Sequence, residues 1–228
     1  MIKTLQLTPP SPKERQLHKK YGHNKNEMIR GAGCLHYPDI MLLFMNPTAR
    51  NVSAHPTWQG LRAPWVGTKK VWQMLAELTL IDKAAIDYIC TIRPEEWKET
   101  DVIELYTHIS TKKLYITNLA SCTQQDARPL PNSIFREYLP VIYDEIQTIC
   151  PGKIIPFGNQ VSSILLQKNI SVSQYPSKEY EILNIDQKHF PVYPTYYPVG
   201  QGQRNMTKAI SRITTLITKN TCKSILSN

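Results

Sequence analysis

The sequence predicts a single-domain three-layer αβα sandwich around a central four-stranded, mainly parallel sheet. Three observations lead there. Short apolar runs end abruptly in turn chemistry: Ile40–Met45 breaks into Asn46-Pro47, Leu114–Asn118 into a polar loop, and Lys153–Phe157 into Gly158-Asn159. Runs that are apolar throughout, rather than alternating, are what strands covered on both faces show. The stretches between them carry helical spacing, and no repeat or linker divides the 228 residues, which suffice for one sizeable core. In an open α/β sheet the ligand site lies just past the carboxyl ends of the strands. The polar residues there are Asn46, Asn118 and the Gly158-Asn159 pair.

In chain order, residues 1–38 form an approach segment. Thr8-Pro9-Pro10-Ser11-Pro12 is proline-dense and resists regular structure, while Lys13–Lys20 is basic and can start a short helix. The α/β domain is expected over residues 39–219, with a polar tail at 220–228. After the first strand comes a loop of roughly 20 residues. Loops of that length in compact domains are functional or disordered, and the two tryptophans here, Trp58 and Trp65, argue against disorder. A helix over Thr68–Leu80 follows, with Val71, Trp72, Leu75 and Leu78 at helical spacing. Ile81–Ser110 reads as helical with breaks: Asp82 caps Lys83–Cys90, and Pro94 begins another turn. The second strand is Leu114–Asn118 and a second long loop covers Leu119–Asn132. Ser133 then caps a helix to Ile149 with Ile134, Leu139, Ile142 and Ile146 as its stripe. Pro151-Gly152 turns into the third strand, and Gly158 opens a helix to about Lys168. Residues 169–188 hold a small hairpin or an irregular crossing, and His189–Tyr193 is the fourth strand. The last helix, Met206–Lys219, presents Ala209, Ile210, Ile213 and Leu216.

A net charge of +9 fits either a solvated basic surface or a polyanion partner. The five cysteines are far apart and none forms a Cys-x-x-Cys pair, so zinc-ribbon and redox motifs are unsupported, and no His-x-x-x-His pair exists. The expectation is no metal and no cofactor. No run approaches the roughly 18 apolar residues of a membrane span, and residues 1–13 lack a signal-length apolar segment. An intracellular monomer, without membrane partners, is expected.

The four strand-end loops have specific contents. The first holds Asn46-Pro47 and then Pro64-Trp65-Val66-Gly67. The second begins Thr117-Asn118-Leu119-Ala120-Ser121-Cys122. The fourth holds Tyr193-Pro194-Thr195 and then a Gly/Gln/Arg loop. In that order the motifs, spanning about Asp39 to Met206, resemble the uracil-DNA glycosylase superfamily. What the resemblance implies is a monofunctional DNA glycosylase that flips uracil or a related damaged base into a pocket and hydrolyses the N-glycosidic bond. Asn46 falls where the superfamily positions the attacking water, with Met45 and Pro47 framing the pocket through backbone groups. Trp65 falls at the aromatic that stacks on the flipped base, and Asn118 at the amide that reads the pyrimidine edge. Tyr193 and Thr195 fall on the last motif, with Tyr193 at the catalytic position, and Tyr196 and Arg204 fall on the loop that probes the duplex. Arg50, Arg62, Arg128 and Arg204 would hold phosphates on either side of the flipped nucleotide, which positions DNA without reading its sequence.

The residue types suit that chemistry. Base–aromatic stacking is worth roughly 1–3 kcal/mol, and an amide can both donate and accept toward the O4 and N3–H edge of uracil. Fixed donors near the departing base lower the barrier. The chain departs from the pattern at three places. Thr48 replaces the closing Gly of the first motif, Tyr193 replaces a His, and Asn46 is an amide rather than a carboxylate. Cys122 stands where the iron–sulfur branch has a cluster ligand, but paired N-terminal cysteines are missing and Phe135 occupies the place of another ligand, so no cluster is expected. Two other classes stay open: a non-catalytic nucleic-acid-binding member of the same fold, and an unrelated α/β enzyme for nucleotides. The latter lacks a Gly-x-Gly-x-x-Gly or Walker-type loop.

Overall fold

In the computed structural model, residues 7, 9–93, 96–128, 130–175 and 179–217 are described. They form one mixed sheet with helices on both faces. The elements are α1 (Pro12–Tyr21), β1 (Ala32–Gly33), β2 (Ile40–Phe44), α2 (Lys69–Glu77), α3 (Lys83–Thr91), α4 (Glu99–Thr111), β3 (Leu114–Asn118), α5 (Asn132–Ile149), β4 (Ile154–Pro156), α6 (Gly158–Leu165), β5 (Glu181–Ile185), β6 (Lys188–Val192) and α7 (Met206–Ile217). The strand order is β1-β3-β2-β4-β6-β5. The four middle strands are mutually parallel and both edges are antiparallel. The sheet thus has six strands where the sequence predicts four, and the four expected ones are its parallel centre. The two missed strands are those with least sequence signal. One is a two-residue pairing, and the other is half-exposed in an uncertain stretch.

Period-two alternation sorts the core. Ile40, Leu42 and Phe44 of β2 and Leu114 and Ile116 of β3 pack under α2, α3, α4 and α7. Met41 and Leu43, with Tyr115 and Ile154, pack on the opposite face under α1, α5 and α6. Both faces of β2 are therefore covered, which explains its uninterrupted apolar run.

Several boundaries differ from expectation for local reasons. The proline-dense start does not stop α1. Ser11 accepts the Glu14 N–H at 3.1 Å as N-cap, and Pro12 takes the first helical position, where a missing N–H costs nothing. Leu17 then enters the core, so residues 12–33 join the same body as the rest. Ser133 does not cap α5; the helix already begins at Asn132, with Pro131 at the cap. Its buried stripe is headed by Phe135, not Ile134, and continues through Tyr138, Leu139, Ile142, Ile146 and Ile149. α6 stops at Leu165, ahead of Gln167, whose φ of 52° is left-handed. The uncertain region closes as a β5–β6 hairpin with Asp186 at φ 49°, and β6 ends at Val192, so Tyr193 lies just past the strand. The turn expected at Pro94, the tail at 220–228 and the final residues of the last helix lie outside the described residues. No helix among the described residues is long and apolar enough to cross a membrane.

Candidate active site

The carboxyl ends of β2, β3, β4 and β6 lie side by side, and backbone hydrogen bonds carry the parallel ladder into their loops. The Leu119 N–H donates to Phe44 O at 2.8 Å and Ala120 N–H to Met45 O at 3.0 Å. Gln124 N–H reaches Pro47 O at 3.0 Å, and Ala49 N–H returns to Gln124 O at 2.8 Å. The first and second loops are thereby tied together, through a Thr48–Gln124 bridge. On the other side Phe157 N–H donates to Leu43 O at 2.9 Å, Thr195 N–H to Pro156 O at 3.0 Å, and Gly158 N–H to Thr195 O at 2.7 Å. Gly158 has φ 89°, and an added Cβ would stand 3.4 Å from Tyr197 Cβ, so this junction favours glycine.

Asn118 is the last residue of β3, in register with Phe44 of β2. By alternation it shares the face of Ile116 and Phe44. It is only 4% exposed, and neither Oδ1 nor Nδ2 has a hydrogen-bond partner among the described residues. A buried polar group left unpaired costs on the order of 1–3 kcal/mol. Phe44, the partner of Asn118 across the ladder, has its ring 4.4 Å from Phe157, stacked, and 4.4 Å from Trp65, tilted at 51°. Tyr197 meets Phe44 edge-on at 6.4 Å. Trp65 is 7% exposed and its indole Nε1 is also buried with no partner among the described residues. Its φ of 63° is unusual for a non-glycine residue, a conformation that costs of order 1–3 kcal/mol and collects at functional sites. Trp65 O accepts from Thr68 N–H at 2.9 Å, and Val66 O from Trp72 Nε1 at 3.2 Å, so the loop is fixed onto α2. Trp72 is core, as its helical spacing suggests.

Asn46 is buried and its Nδ2 donates to Pro47 O at 3.2 Å, leaving its Oδ1 uncommitted. Met45 is half-buried and Pro47 buried; both carbonyls are engaged with the second loop, so they shape the site through the ladder. The last motif is placed differently from the expectation. Thr195 is fully buried and its hydroxyl donates to Tyr193 O at 2.9 Å, which makes it a turn residue. The Tyr193 ring packs 5.3 Å from Tyr180, and burial raises its pKa, so it is a neutral packing residue here. Burial pushes the neighbouring Tyr197 up to about 12, which keeps that phenol protonated.

The arginines divide. Arg62 donates to Ser53 O, to His55 O at 2.9 Å and to Trp58 O at 2.8 Å, and pairs with Glu27 at 3.1 Å. Its guanidinium is thus engaged inside the long loop rather than presented to a phosphate, contrary to the expectation. Arg128, with a side chain 86% exposed, pairs with Asp126 at 2.9 Å and holds that carboxyl below its usual range, with Arg50 contributing more weakly. Arg50 and Arg204 are exposed. Tyr196 is half-buried and carries Lys208 Nζ at 5.4 Å from its ring centroid. Lys208, Phe44, Phe157 and Ser121 were not legible as site residues. Ser121 lies in the quoted second loop, and its Oγ is buried near the Tyr138 hydroxyl. Cys122 is a free, buried thiol in the same core as Phe135. Among the described residues no group of three or more His, Cys, Asp or Glu could hold a metal, so the donor set does not fit an iron–sulfur cluster.

A comparison with curated proteins finds no match. A comparison with protein families matches residues 34–215 to the Uracil DNA glycosylase superfamily. That span covers most of the chain and all four strand-end loops, and on this match the chain belongs to the uracil DNA glycosylase superfamily.

Proposed function

We propose that the protein is a monofunctional DNA glycosylase that removes uracil, or a base with the same edge, from DNA. The observation that carries this reading is Asn118. A buried amide beside Phe44 with both ends unpaired among the described residues is costly, and a flipped pyrimidine would offset that cost. Its Nδ2 would donate to O4 and its Oδ1 accept from N3–H. Trp65 supplies the aromatic wall. The free Oδ1 of Asn46 would orient water toward the sugar carbon as the bond to the base lengthens. Charge leaving on the base is stabilised by the Asn118 amide in a site of low polarity. Arg50, Arg128 and Arg204 would meet phosphates.

A second reading, a DNA-binding member without catalysis, draws on Asn46 Nδ2 being tied to Pro47 and on the internal use of Tyr193 and Thr195. Single-turnover release of free base separates the two. A labelled oligonucleotide with one uracil, opposite G, opposite A or single-stranded, is incubated with protein and cleaved with alkali. Scission by wild type, lost in Asn46→Ala and Asn118→Ala, supports the glycosylase. Salt-sensitive binding without scission on any of the three substrates supports the second reading.

A further inference from the structure

β2 lies between β3 and β4 in the sheet, and Asn118, Phe44 and Phe157 stand at or just past the ends of these three strands. Phe44 and Phe157 share one core face, the face that alternation also gives to Asn118. Phe44 is the middle one. It is in register with Asn118, and on its other flank Phe157 N–H donates to Leu43 O at 2.9 Å. Its ring is fully buried and lies 4.4 Å from Trp65 and 4.4 Å from Phe157. Rings in direct contact have centroids about 4.5–7 Å apart, so no third ring fits between Phe44 and either neighbour. The slot under Trp65, beside the end of β3, is therefore filled by a side chain of the protein itself.

A phenyl ring neither donates nor accepts a conventional hydrogen bond, so it cannot satisfy an amide beside it. An amide at an open strand end would be hydrated at little cost. Asn118 is instead buried with both polar atoms unpaired among the described residues, and so is the indole Nε1 of Trp65, which touches the same ring. We propose that Phe44 determines what this site admits: its ring stands where a planar base would stack, and a ligand reaches the Asn118 amide only when the ring is displaced. The inference rests on the glycosylase reading for naming that ligand a pyrimidine. Phe44 meets Phe157 at an interplanar angle of 28°, the arrangement a stacked base would take. The slot it leaves has the footprint of one six-membered ring, which is that of a pyrimidine and not of a purine. Its walls stay when the ring goes, because Phe157 is buried and Trp65 O is held by Thr68 N–H at 2.9 Å. Displacing the ring costs free energy, so the open site is a minor population and the apparent affinity for a base is reduced by that fraction. Truncating Phe44 removes the reduction.

The test follows thermal melting of the whole chain with free uracil added, and single-turnover release of uracil from a single-stranded oligonucleotide. Wild type is compared with Phe44→Ala, Phe44→Val and Phe44→Ala/Asn118→Leu. Phe44→Val keeps a branched apolar side chain in the core and carries the test if Phe44→Ala does not fold. Free uracil is expected to raise the Tm of the single Phe44 variants and to leave wild type and the double variant unmoved. Hypoxanthine, which has the same carbonyl and N–H edge on two fused rings, is expected to raise none of them. Release by the single variants is expected to be about tenfold faster than by wild type, or more. Single variants that free uracil does not stabilise overturn the proposal, and so does a wild type stabilised as much as they are. A rise that persists in the double variant, or one that hypoxanthine matches, overturns it as well. Uracil release by wild type, with the single variants unmoved by free uracil, leaves the glycosylase standing and removes the role of Phe44. A rise in the single variants that is lost in the double variant, without release by any of the proteins, leaves Phe44 standing and removes the glycosylase.

Discussion

Asn118 stands opposite Phe44 across two adjacent parallel strands, and the next residue, Leu119, donates its N–H to the Phe44 carbonyl at 2.8 Å. The backbone that aims the amide is therefore part of the sheet and not of a mobile loop. Phe44 is itself clamped between Phe157 and Trp65, each at 4.4 Å. An amide held this way in apolar surroundings pays little reorganisation when a base arrives, and its hydrogen bonds are stronger than they would be in water.

In the proposed glycosylase Asn46 would be the weak point, because an amide orients water without taking its proton. Asn46→Asp supplies a carboxylate at the same place. The single-turnover release rate is expected to rise roughly tenfold or more, toward the range of positioned general bases. An unchanged or lower rate would mean that Asn46 does not face the attacking water.

Arg62 and Arg128 should separate cleanly. Arg62→Ala removes bonds to three loop carbonyls and to Glu27, and is expected to lower stability by about 1–3 kcal/mol. Arg128→Ala is expected to leave the melting temperature unchanged while reducing the salt dependence of duplex binding by a slope of about 0.9. Melting curves and anisotropy titrations on the same two variants check both halves.

The difference between those arginines also shows what a sequence carries. Both sit in polar loops near proline, and nothing local says that one folds inward; that depends on where Ser53, His55, Trp58 and Glu27 come to rest. Much of the parallel centre of the sheet was legible because full burial of β2 and β4 leaves uninterrupted apolar runs, and β3 is apolar up to Thr117. β1 is too short to leave a pattern, and the Lys188–Val192 pairing could not be set until the Asp186 turn fixed the register. Asn118 was legible as a polar residue closing an apolar strand, but that both ends of its amide are unpaired is a fact of packing alone. Tyr193 and Thr195 matched a motif by order, while the turn after β6 directs the first to Tyr180 and closes the second on itself.

Gly31 tests the packing behind the opposite face. A Cβ there would run into the Tyr115 hydroxyl, which donates to Glu145 Oε1 at 2.8 Å, and would itself lie 2.8 Å from that oxygen. Gly31→Ala is expected to cost about 1–3 kcal/mol by overpacking and loss of that bond. Since about 1 kcal/mol shifts Tm by roughly 2–4 °C at this size, the melt should fall by several degrees. An unchanged Tm would show that Tyr115 can move.

Glu145 sets a pH signature. Burial raises its carboxyl above the usual range, with Glu14 adding to the rise, while Tyr115, Thr117 and Arg30 oppose it. The folded protein therefore holds this proton more tightly than the unfolded chain. The stabilising contribution is complete below the ordinary carboxylate pKa and is lost as pH rises through the folded value. Glu145→Gln does not titrate, so its Tm relative to wild type is expected to rise as pH climbs from the ordinary carboxylate pKa through the raised folded value, and then to level off. Taking the difference removes the opposite slopes from Asp126, Glu137 and Glu181, whose carboxyls are held low by their cationic and hydroxyl partners. A flat or falling difference would show that Glu145 is solvated.

The most direct measurement of the central claim is Asn118→Leu, followed by thermal melting and by uracil release from a single-stranded oligonucleotide. Leucine fills nearly the same volume and removes two unpaired buried polar atoms. The expected result is a protein more stable by about 1–3 kcal/mol that no longer releases base. A variant that is no more stable and releases uracil at the wild-type rate would contradict the assignment of Asn118 as the group that reads the base.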